Sequence, residues 1–340
     1  QETGMSFVPS RKALFITGSD IPRLLPMATA IEVVEDAFAA RATGHAADHP
    51  RYRLRVPESR VEGPTGSPPA MMHVLGGTLS AQGVMGTKTY VTTASGAQFV
   101  VLLFSVEGPL LAVIEANVLG QIRTGAASGV ATRHLARADA ATLAVIGAGF
   151  QARTQVEAVC AVRPIREVRV FSRTATKTKQ FTEAMRFTVD AEICPSDSIE
   201  TAVTGADIVC TATTAAEPVL TGALLRPGMH VNAMGSNAPS RRELDESAVL
   251  RADLLVVDDL AQAQAEAGDL IAVASTGRLS WDQVTPLAEV VAGRVKRAGD
   301  HAVTLFESQG LATEDLAVAR HVYEAARRAG IGVPLPLSEA

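Results

Sequence analysis

Hydrophobic positions recur with two different spacings in the first third of this chain. Between residues 24 and 40, Ile31, Val34 and Phe38 follow one another at helical spacing, which predicts a helix. Between residues 52 and 114 the apolar runs are short, and Gly, Pro and Ser separate them. This part predicts a mainly antiparallel sheet with strands at 52–56, 70–75, 84–92, 98–105 and 110–114.

A different pattern begins after Glu115. A helix rich in small residues is predicted up to about residue 135, and short, almost wholly apolar strands then alternate with helical stretches. Such strands are buried on both faces, which is typical of a parallel sheet covered by helices. They are predicted at 143–146, 168–171, 208–211, 230–233 and 254–257. The chain ends in a helix predicted over 316–329, with Thr313 as its N-cap and Glu314 and Asp315 at its positive end.

Length and composition narrow the class of protein. The 340 residues suit roughly two domains of about 100–200 residues, and 47 % hydrophobic with 20 % charged residues indicates a globular fold. A net charge of −5 argues against nucleic-acid or membrane-surface partners. No apolar run approaches the roughly 20 residues of a membrane span, and the first ten residues lack a signal pattern. Three cysteines without a CxxC motif suit a reducing compartment, so we expect a cytoplasmic location.

The string ATLAVIGAGFQA (141–152) carries the strongest functional signal. It follows an apolar strand and opens a helix predicted over 151–162, which is the context of a dinucleotide-binding turn. Gly147 would allow the tight turn, Gly149 would let backbone N–H groups approach a pyrophosphate, and Ala152 replaces the third glycine. Phe150 precedes this helix and Gln151 begins it, and both are expected cofactor contacts because a helix N-terminus attracts anions.

The end of the next strand indicates which cofactor is preferred. Ser172, Arg173 and Thr174 stand where NAD enzymes usually carry Asp or Glu, and Lys177 follows closely. Arg173 can stack on adenine or bind a 2′-phosphate. We therefore expect NADP(H) to be preferred, with NAD(H) as the alternative. The other interpretation is a solvated basic turn.

Basic residues in unusual surroundings suggest an anion site outside the nucleotide motif. Arg123 shares a helix face with small and apolar residues, where a guanidinium is costly unless it meets an anion. Lys88 is the lone charge in its strand, and its alternative interpretation is a solvent-facing lysine on an edge strand. Arg51, Arg53 and Arg55 cluster in an earlier strand, where such charges are usually solvated.

The histidines give weaker signals. His45 and His49 have the spacing of metal ligands, but they lie in a segment that reads as a loop, and no third ligand is evident. No metal site is therefore predicted. His73 could point either into a core or into a cleft.

These pieces together resemble the ornithine cyclodeaminase/mu-crystallin family over nearly all of residues 27–329. The matching strings are GTKTYV (86–91), VLGQIRTGAASGVAT (118–132), VIGAGFQA (145–152), HVNAMGS…REL (230–244) and QGLATED (309–315). This combination is far more specific than the glycine motif alone.

The resemblance implies an α/β fold with a Rossmann NAD(P)-binding domain at 126–304. It also implies an α+β N-terminal domain at 5–125, completed by the C-terminal helix within 305–340, that binds the substrate and forms a homodimer. The substrate carboxylate would be bound by Arg53, Lys88 and Arg123, with Arg51 as an alternative to Arg53. The remaining expected cofactor contacts are Thr124, Thr213, Met234, Gly235, Ser236, Gln309 and Gly310.

Members of this family cyclodeaminate ornithine or lysine, dehydrogenate alanine or reduce ketimines. Cyclodeaminases carry an aspartate in the turn after the NAxG strand, where this chain has Asn237. An amide neither titrates in the useful range nor relays protons, so Asn237 argues against cyclodeamination. A reductase needs less, because hydride can add to a substrate that enters as a protonated imine.

We therefore expect NADPH-dependent reduction of a small imino acid to the L-amino acid, with Lys88, Arg123 and Asn237 at the reacting centre. The substrate stays open between a cyclic ketimine such as pyrroline-2-carboxylate and a linear imine such as iminosuccinate. The alternatives are an ornithine or lysine cyclodeaminase, an alanine-dehydrogenase-like enzyme and a non-catalytic mu-crystallin-like binding protein.

Overall fold

The first of two sheets is formed mainly by the N-terminal third of the chain. The structure is a computed structural model that describes residues 12–56, 70–235 and 237–337. The sheet's strands are β1 (Leu14–Ile16), β2 (Ala46–Arg55), β3 (Met71–Leu79), β4 (Val84–Thr93), β5 (Gly96–Ser105), β6 (Leu110–Glu115) and β15 (Val333–Pro334). Their order is β15-β1-β6-β5-β4-β3-β2. Only the β1–β6 pair is parallel, which confirms the prediction of a mainly antiparallel sheet.

The second sheet is wholly parallel. Its strands are β7 (Thr142–Ile146), β8 (Glu167–Phe171), β9 (Glu192–Pro195), β10 (Ile208–Thr211), β11 (His230–Ala233), β12 (Leu254–Val257), β13 (Val284–Pro286) and β14 (Thr304–Glu307). They lie in the order β13-β12-β14-β11-β10-β7-β8-β9. The five predicted apolar strands are confirmed. The three that the pattern missed, β9, β13 and β14, are short and carry polar or proline residues.

Helices cover the sheets and join them. They are α1 (Ile21–Leu24), α2 (Met27–Ala42), α3 (Ala116–Leu135), α4 (Phe150–Val162), α5 (Ala175–Met185), α6 (Ile199–Val203), α7 (Glu246–Leu250), α8 (Leu260–Glu266), α9 (Gly268–Ser275), α10 (Leu287–Val291) and α11 (Ala312–Ala329). The structure corrects the predicted starts of two helices, α2 and α11. The helix predicted from residue 24 begins at Met27, because Pro26 occupies its N-cap and ends the short α1 before it.

Thr313 is not the N-cap of the last helix, as the sequence predicted. The N-cap is Leu311, which makes no side-chain capping bond, and Thr313 lies inside the first turn. Asp48 on β2 supplies the missing acceptor: one carboxylate oxygen takes the Thr313 N–H at 2.7 Å and the other its hydroxyl at 2.7 Å. The cap comes from a distant strand, so local sequence does not reveal it.

Helix α3 lies between the two sheets and is buried along almost its whole length. It packs on α2 and α4, and its small residues let those helices approach closely. The expected domain division stays a prediction. Its boundary at residue 304/305 runs through β14, all of which pairs in the parallel sheet. Among the described residues, no helix combines the length and apolar character of a membrane span.

Candidate active site

A cleft of about 1050 Å³ lies where β7, β8 and β10 end. Chain order runs outward from β7 in both directions at this place, and parallel sheets bind ligands at such switch points. The predicted cofactor residues that line the cleft are Gly147, Gly149, Phe150, Ser172, Arg173, Thr174, Lys177 and Thr213. The turn and strand-end residues predicted from separate motifs therefore meet in one place.

The glycine turn fits a pyrophosphate. Gly147 has a φ of +118°, and a Cβ there would lie 2.8 Å from the carbonyl carbon of Ala212. A Cβ on Gly149 would meet nothing within 4 Å, so this glycine leaves open space on the cleft side rather than relieving a clash. Gly149 caps α4 without a side-chain hydrogen bond, which leaves the first N–H groups of the helix for an anion. Buried Ala152 packs in the core behind them.

Cations surround the same cleft. Arg173 and Lys177 lie beyond the end of β8, and Arg153 projects from the second turn of α4. Arg153 was not predicted, although a basic residue just after a dinucleotide turn is a readable signal. Gln121 was also missed: it lines the cleft and donates to the carbonyl of Phe150, a contact between distant segments that sequence does not reveal.

Glu243 connects the cleft to the turn after β11. Its carboxylate accepts the Thr213 N–H, the Thr211 hydroxyl and the Gly235 N–H, each at 2.7 Å. Burial raises the pKa of Glu243 and these hydrogen bonds oppose that rise. One buried carboxylate thus fixes two of the predicted cofactor turns. In the sequence, Glu243 stands out only as a member of the family string that spans 230–244.

Lys88 and Arg123 form a buried cation pair. Lys88 lies on β4, a central strand, and its Nζ is 2.6 Å from Asp315 Oδ2, so the solvent-facing interpretation was wrong. Arg123 Nε donates to Asp315 Oδ1 at 3.0 Å, and its Nη1 donates to Glu314 Oε2 at 2.9 Å. Both carboxylates start α11, so they serve Arg123 and Lys88 rather than only the helix dipole.

The electrostatics of this group favour one further anion. Burial, followed by the charge of Arg123, lowers the pKa of Lys88 to about 8. Burial works against the charge of Arg123 too, but Asp315 and Glu314 outweigh it and raise the pKa of the guanidinium. Burial raises the pKa of Glu314 to about 8. This shift favours the protonated form of Glu314, and a protonated Glu314 would leave Asp315 as the charged partner of both cations.

The two remaining arginines share Glu266. Arg51 Nη1 lies 3.0 Å from one oxygen of this buried carboxylate, and Arg53 Nη2 lies 2.5 Å from the other. Arg51 is enclosed and donates to the Gln309 carbonyl at 2.8 Å. Arg53 is partly exposed and donates to the Asn237 carbonyl at 2.9 Å. Arg53 is therefore the more accessible of the pair, and the choice between them stays a prediction.

Gly310 leaves the space that the guanidinium of Arg123 occupies. It has a φ of +81°, and a Cβ there would lie 2.9 Å from the Arg123 Cζ. Its N–H donates to buried Asp258, which also accepts from the Gln309 N–H and the Ser308 hydroxyl. The turn after β14 is thus held so that the guanidinium occupies the space that a side chain at position 310 would need.

Several buried polar atoms around this cluster have no hydrogen-bond partner in the described part of the chain. They are Arg51 Nε, His73 Nδ1, Gln309 Oε1 and Glu314 Oε1. Buried polar atoms are normally satisfied, so their concentration here indicates a polar ligand site rather than ordinary core.

The other predicted residues lie as follows. Thr124 and Met234 are buried, Gln151 is half-buried, and none of the three lines the cleft. Ser236 lies outside the described residues. Asn237 is exposed, and its backbone carbonyl accepts the hydrogen bond from Arg53. The roles of all these residues stay predictions.

The segment with His45 and His49 is not a loop, because β2 begins at Ala46 and includes His49. The antiparallel pairing with β3, interrupted by a bulge, draws it into the sheet. Within 12–56, 70–235 and 237–337, no three His, Cys, Asp or Glu side chains form a group that could hold a metal ion.

A cleft that fits a dinucleotide and a buried cation pair that fits a small anion are what a reductase or dehydrogenase requires. The fold and the site therefore define a nicotinamide-dependent oxidoreductase. Residues 11–330 match the model of the ornithine cyclodeaminase/mu-crystallin family, and the chain belongs to that family.

Three similar proteins illustrate the family. Delta(1)-pyrroline-2-carboxylate reductase of Bacillus cereus (strain ATCC 10987) is 40 % identical over 227 residues, which are 66 % of this chain and 70 % of that protein. The structure of Thermococcus litoralis Delta(1)-pyrroline-2-carboxylate reductase with NADH and L-proline has a TM-score of 0.88, with 34 % identity, over 95 % of this chain and 100 % of that one. An archaeal alanine dehydrogenase dimer with bound NAD has a TM-score of 0.87, with 30 % identity, over 96 % and 100 %.

Glu243→Gln should weaken binding of a nicotinamide dinucleotide about tenfold or more. The amide replaces an oxygen that accepts an N–H with a group that repels it, and hydrogen bonds to charged groups contribute about 1.5–3 kcal/mol. Calorimetric titration with NADPH measures the effect. Glu217→Gln is the control, because Glu217 lines the same cleft but is largely exposed. Equal Kd values for the two variants would contradict a role for Glu243 in shaping the turns.

Proposed function

We propose that this protein uses NADPH to reduce a small imino acid to the L-amino acid. The observation that carries the proposal is the Lys88–Arg123 pair, buried against turns at the carboxyl end of the nucleotide-binding sheet. An α-imino acid has a carboxylate one bond away from its C=N carbon. Binding that carboxylate at the cation pair would present the C=N bond towards the cofactor. The substrate class covers cyclic ketimines such as pyrroline-2-carboxylate and linear imines such as iminosuccinate.

The protein's own part in the reaction is binding and orientation. When bound, the nicotinamide supplies the hydride that adds to the C=N carbon. Lys88 and Arg123 would neutralise the substrate carboxylate, and Asp315 keeps both cations fixed before the substrate arrives. Arg53, fixed by Glu266 and the Asn237 carbonyl, would close the outer side of the site. The named relatives that reduce pyrroline-2-carboxylate support this proposal.

Simple reduction is preferred to cyclodeamination because of Asn237. We expect the wild-type protein to oxidise NADPH with an imino acid and to form no proline from ornithine with catalytic cofactor and no external reductant. An amide there cannot exchange the proton that departing ammonia requires. The assay compares 2-oxo acids with ammonia or amines, cyclic ketimines, ornithine and lysine. Robust ammonia release from ornithine would replace our proposal with a cyclodeaminase.

The same assay decides between the remaining alternatives. Oxidation of alanine faster than reduction of any imine would indicate an alanine-dehydrogenase-like enzyme. Tight NADPH binding without turnover of any of these substrates would indicate a binding protein.

NADPH preference rests on Arg173, and NAD(H) remains the alternative because the solved relatives hold NADH or NAD. Arg173→Ala should weaken NADPH binding by about 1–3 kcal/mol, the value of a charge-assisted hydrogen bond, and change NADH binding little. Arg166→Ala is the matched control, since Arg166 is exposed at the opposite end of β8. A wild-type protein that prefers NADH tenfold would refute the preference.

The carboxylate site is tested by changing its two cations. Lys88→Ala and Arg123→Lys should each reduce kcat/KM by about a hundredfold or more while the NADPH Kd stays within about threefold. A lysine at 123 is a point charge and does not reproduce the planar guanidinium that contacts Glu314 and Asp315. Arg133→Lys is the control on the same helix, because that arginine is partly exposed and pairs with Glu35. Near-normal kcat/KM in Arg123→Lys would exclude bidentate binding of the carboxylate by the planar guanidinium.

We also propose that the protein is a homodimer across the outer face of the first sheet. Leu54, Met72 and Val91 are exposed and lie directly opposite one another on β2, β3 and β4. A contiguous exposed apolar row indicates an interface, and the archaeal relative is described as a dimer.

We propose a cytoplasmic location as well, because the three free cysteines fit a reducing compartment.

Met72→Glu should convert the dimer to a monomer, because a charge would be buried in an apolar interface. Sedimentation equilibrium measures the change. Phe187→Glu, which alters a highly exposed phenylalanine between α5 and β9, serves as the control. A wild-type monomer, or a Met72→Glu variant that stays dimeric, would contradict this interface.

A further inference from the structure

A row of four side chains crosses the inner face of the first sheet beside the Lys88–Arg123 cation pair. Arg53, His73, Tyr90 and Phe99 are directly paired on β2, β3, β4 and β5, so their side chains point to the same face. Lys88 lies two residues before Tyr90, and therefore on that face about 7 Å along the strand. The row thus forms a wall next to the proposed carboxylate site.

His73 is held rigidly in this wall. Its ring lies 4.3 Å from the Tyr90 ring with an angle of 2° between the planes, and Tyr90 stacks on Phe99 at 4.4 Å. Its Nε2 lies 3.2 Å from the Thr92 hydroxyl. That hydroxyl also lies 3.4 Å from the Met71 carbonyl, and when it donates its hydrogen there, Nε2 carries the ring proton and donates to it. Nδ1 is then a bare acceptor.

This ring nitrogen lacks a hydrogen-bond partner among the described residues. Nδ1 of His73 is buried and has no hydrogen bond within the described part of the chain. Burial, followed by the charges of Arg53 and Arg51, lowers the pKa of His73 to about 4. The low pKa favours the neutral ring at physiological pH, in which Nδ1 accepts whenever Nε2 carries the proton.

The chemistry of the site indicates what would donate to it. Lys88 and Arg123 have only donors, so they can hold a carboxylate but not an N–H group. The N–H group of a protonated imine lies one bond beyond the C=N carbon, so it needs a hydrogen-bond acceptor near that nitrogen. A carboxylate there would cancel the positive charge that makes the C=N carbon attract hydride. A neutral imidazole nitrogen orients the N–H group and leaves that charge largely in place.

We propose that Nδ1 of His73 accepts the hydrogen bond from the nitrogen of the imino-acid substrate and so sets the direction of its C=N bond. This proposal rests on the function proposed above. It makes His73 a substrate-binding residue and the Tyr90 stack the support that keeps its ring in place.

Two stable ligands separate this role from turnover. Pyrrole-2-carboxylate and furan-2-carboxylate share a flat five-membered ring and a carboxylate, but only the pyrrole has an N–H donor. We expect the wild-type protein with NADP⁺ bound to bind the pyrrole about tenfold or more tighter in calorimetric titrations, as an added hydrogen bond of about 1.4 kcal/mol would give. In His73→Leu and His73→Phe this ratio should fall to about one.

His73→Asn is the matched rescue of His73→Leu. The two side chains have similar size and both lose the ring stack, but the Asn oxygen can take the place of Nδ1. His73→Asn should therefore keep part of the pyrrole preference and a higher kcat/KM for imine reduction than His73→Leu. His73→Phe keeps a ring on Tyr90, so it carries the comparison with His73→Asn if His73→Leu does not fold.

Each outcome decides the proposal. A ratio near one in the wild type, an unchanged ratio in His73→Phe, or no binding of either ligand would overturn the role of Nδ1. A wild type that reduces imines with a ratio near one would retain the reductase and reject the His73 contact. A wild type with a His73-dependent ratio but no imine reduction would retain the contact and reject the reductase.

Discussion

The ion pairs of Asp315 are the constraint on which the active site depends. One buried carboxylate binds Lys88 through one oxygen and Arg123 through the other. Unpaired, either cation would be too costly to bury, and Asp315 alone would be costly as well. The pairing fixes α11 against both β4 and α3, and therefore fixes the last helix of the chain against elements formed much earlier.

That constraint explains several features that would otherwise look unrelated. Gly310 must be a glycine because the guanidinium of Arg123 lies against it, and Asp258 must bind the adjoining backbone to hold the turn. Asp48 caps α11 from β2, which keeps the first turn carrying Glu314 and Asp315 in register with the sheet. The buried polar groups around the Asp315 ion pairs are thus linked to one another by hydrogen bonds and close contacts.

The two sheets contribute different parts of the chemistry. The parallel sheet supplies backbone N–H groups and glycine turns, which suit a dinucleotide because phosphate is recognised by geometry and dipoles. The antiparallel sheet supplies rigid side chains, which suit a small charged substrate. Glu243 connects two turns at the carboxyl end of the parallel sheet. Glu266 on α8 joins the mainly antiparallel sheet to the half of the chain that contains the parallel sheet, because it pairs with Arg51 and Arg53 on β2.

The sequence by itself determined the class of fold and predicted the dinucleotide turn and the main cations, because these depend on local periodicity or on short motifs. It singled out Gly147, Arg173 and Arg123 from their immediate neighbours, whereas the family resemblance placed Lys88 with Arg123 at the expected site. It could not determine that Lys88 is buried, that Asp48 caps α11, or that Glu266 and Asp315 pair with the site arginines and lysine. Those contacts join residues far apart in the chain, and only tertiary packing decides which distant carboxylate meets a buried cation. The setting of the His73 ring was hidden for the same reason, since it depends on Tyr90 and Thr92 across the strand pair.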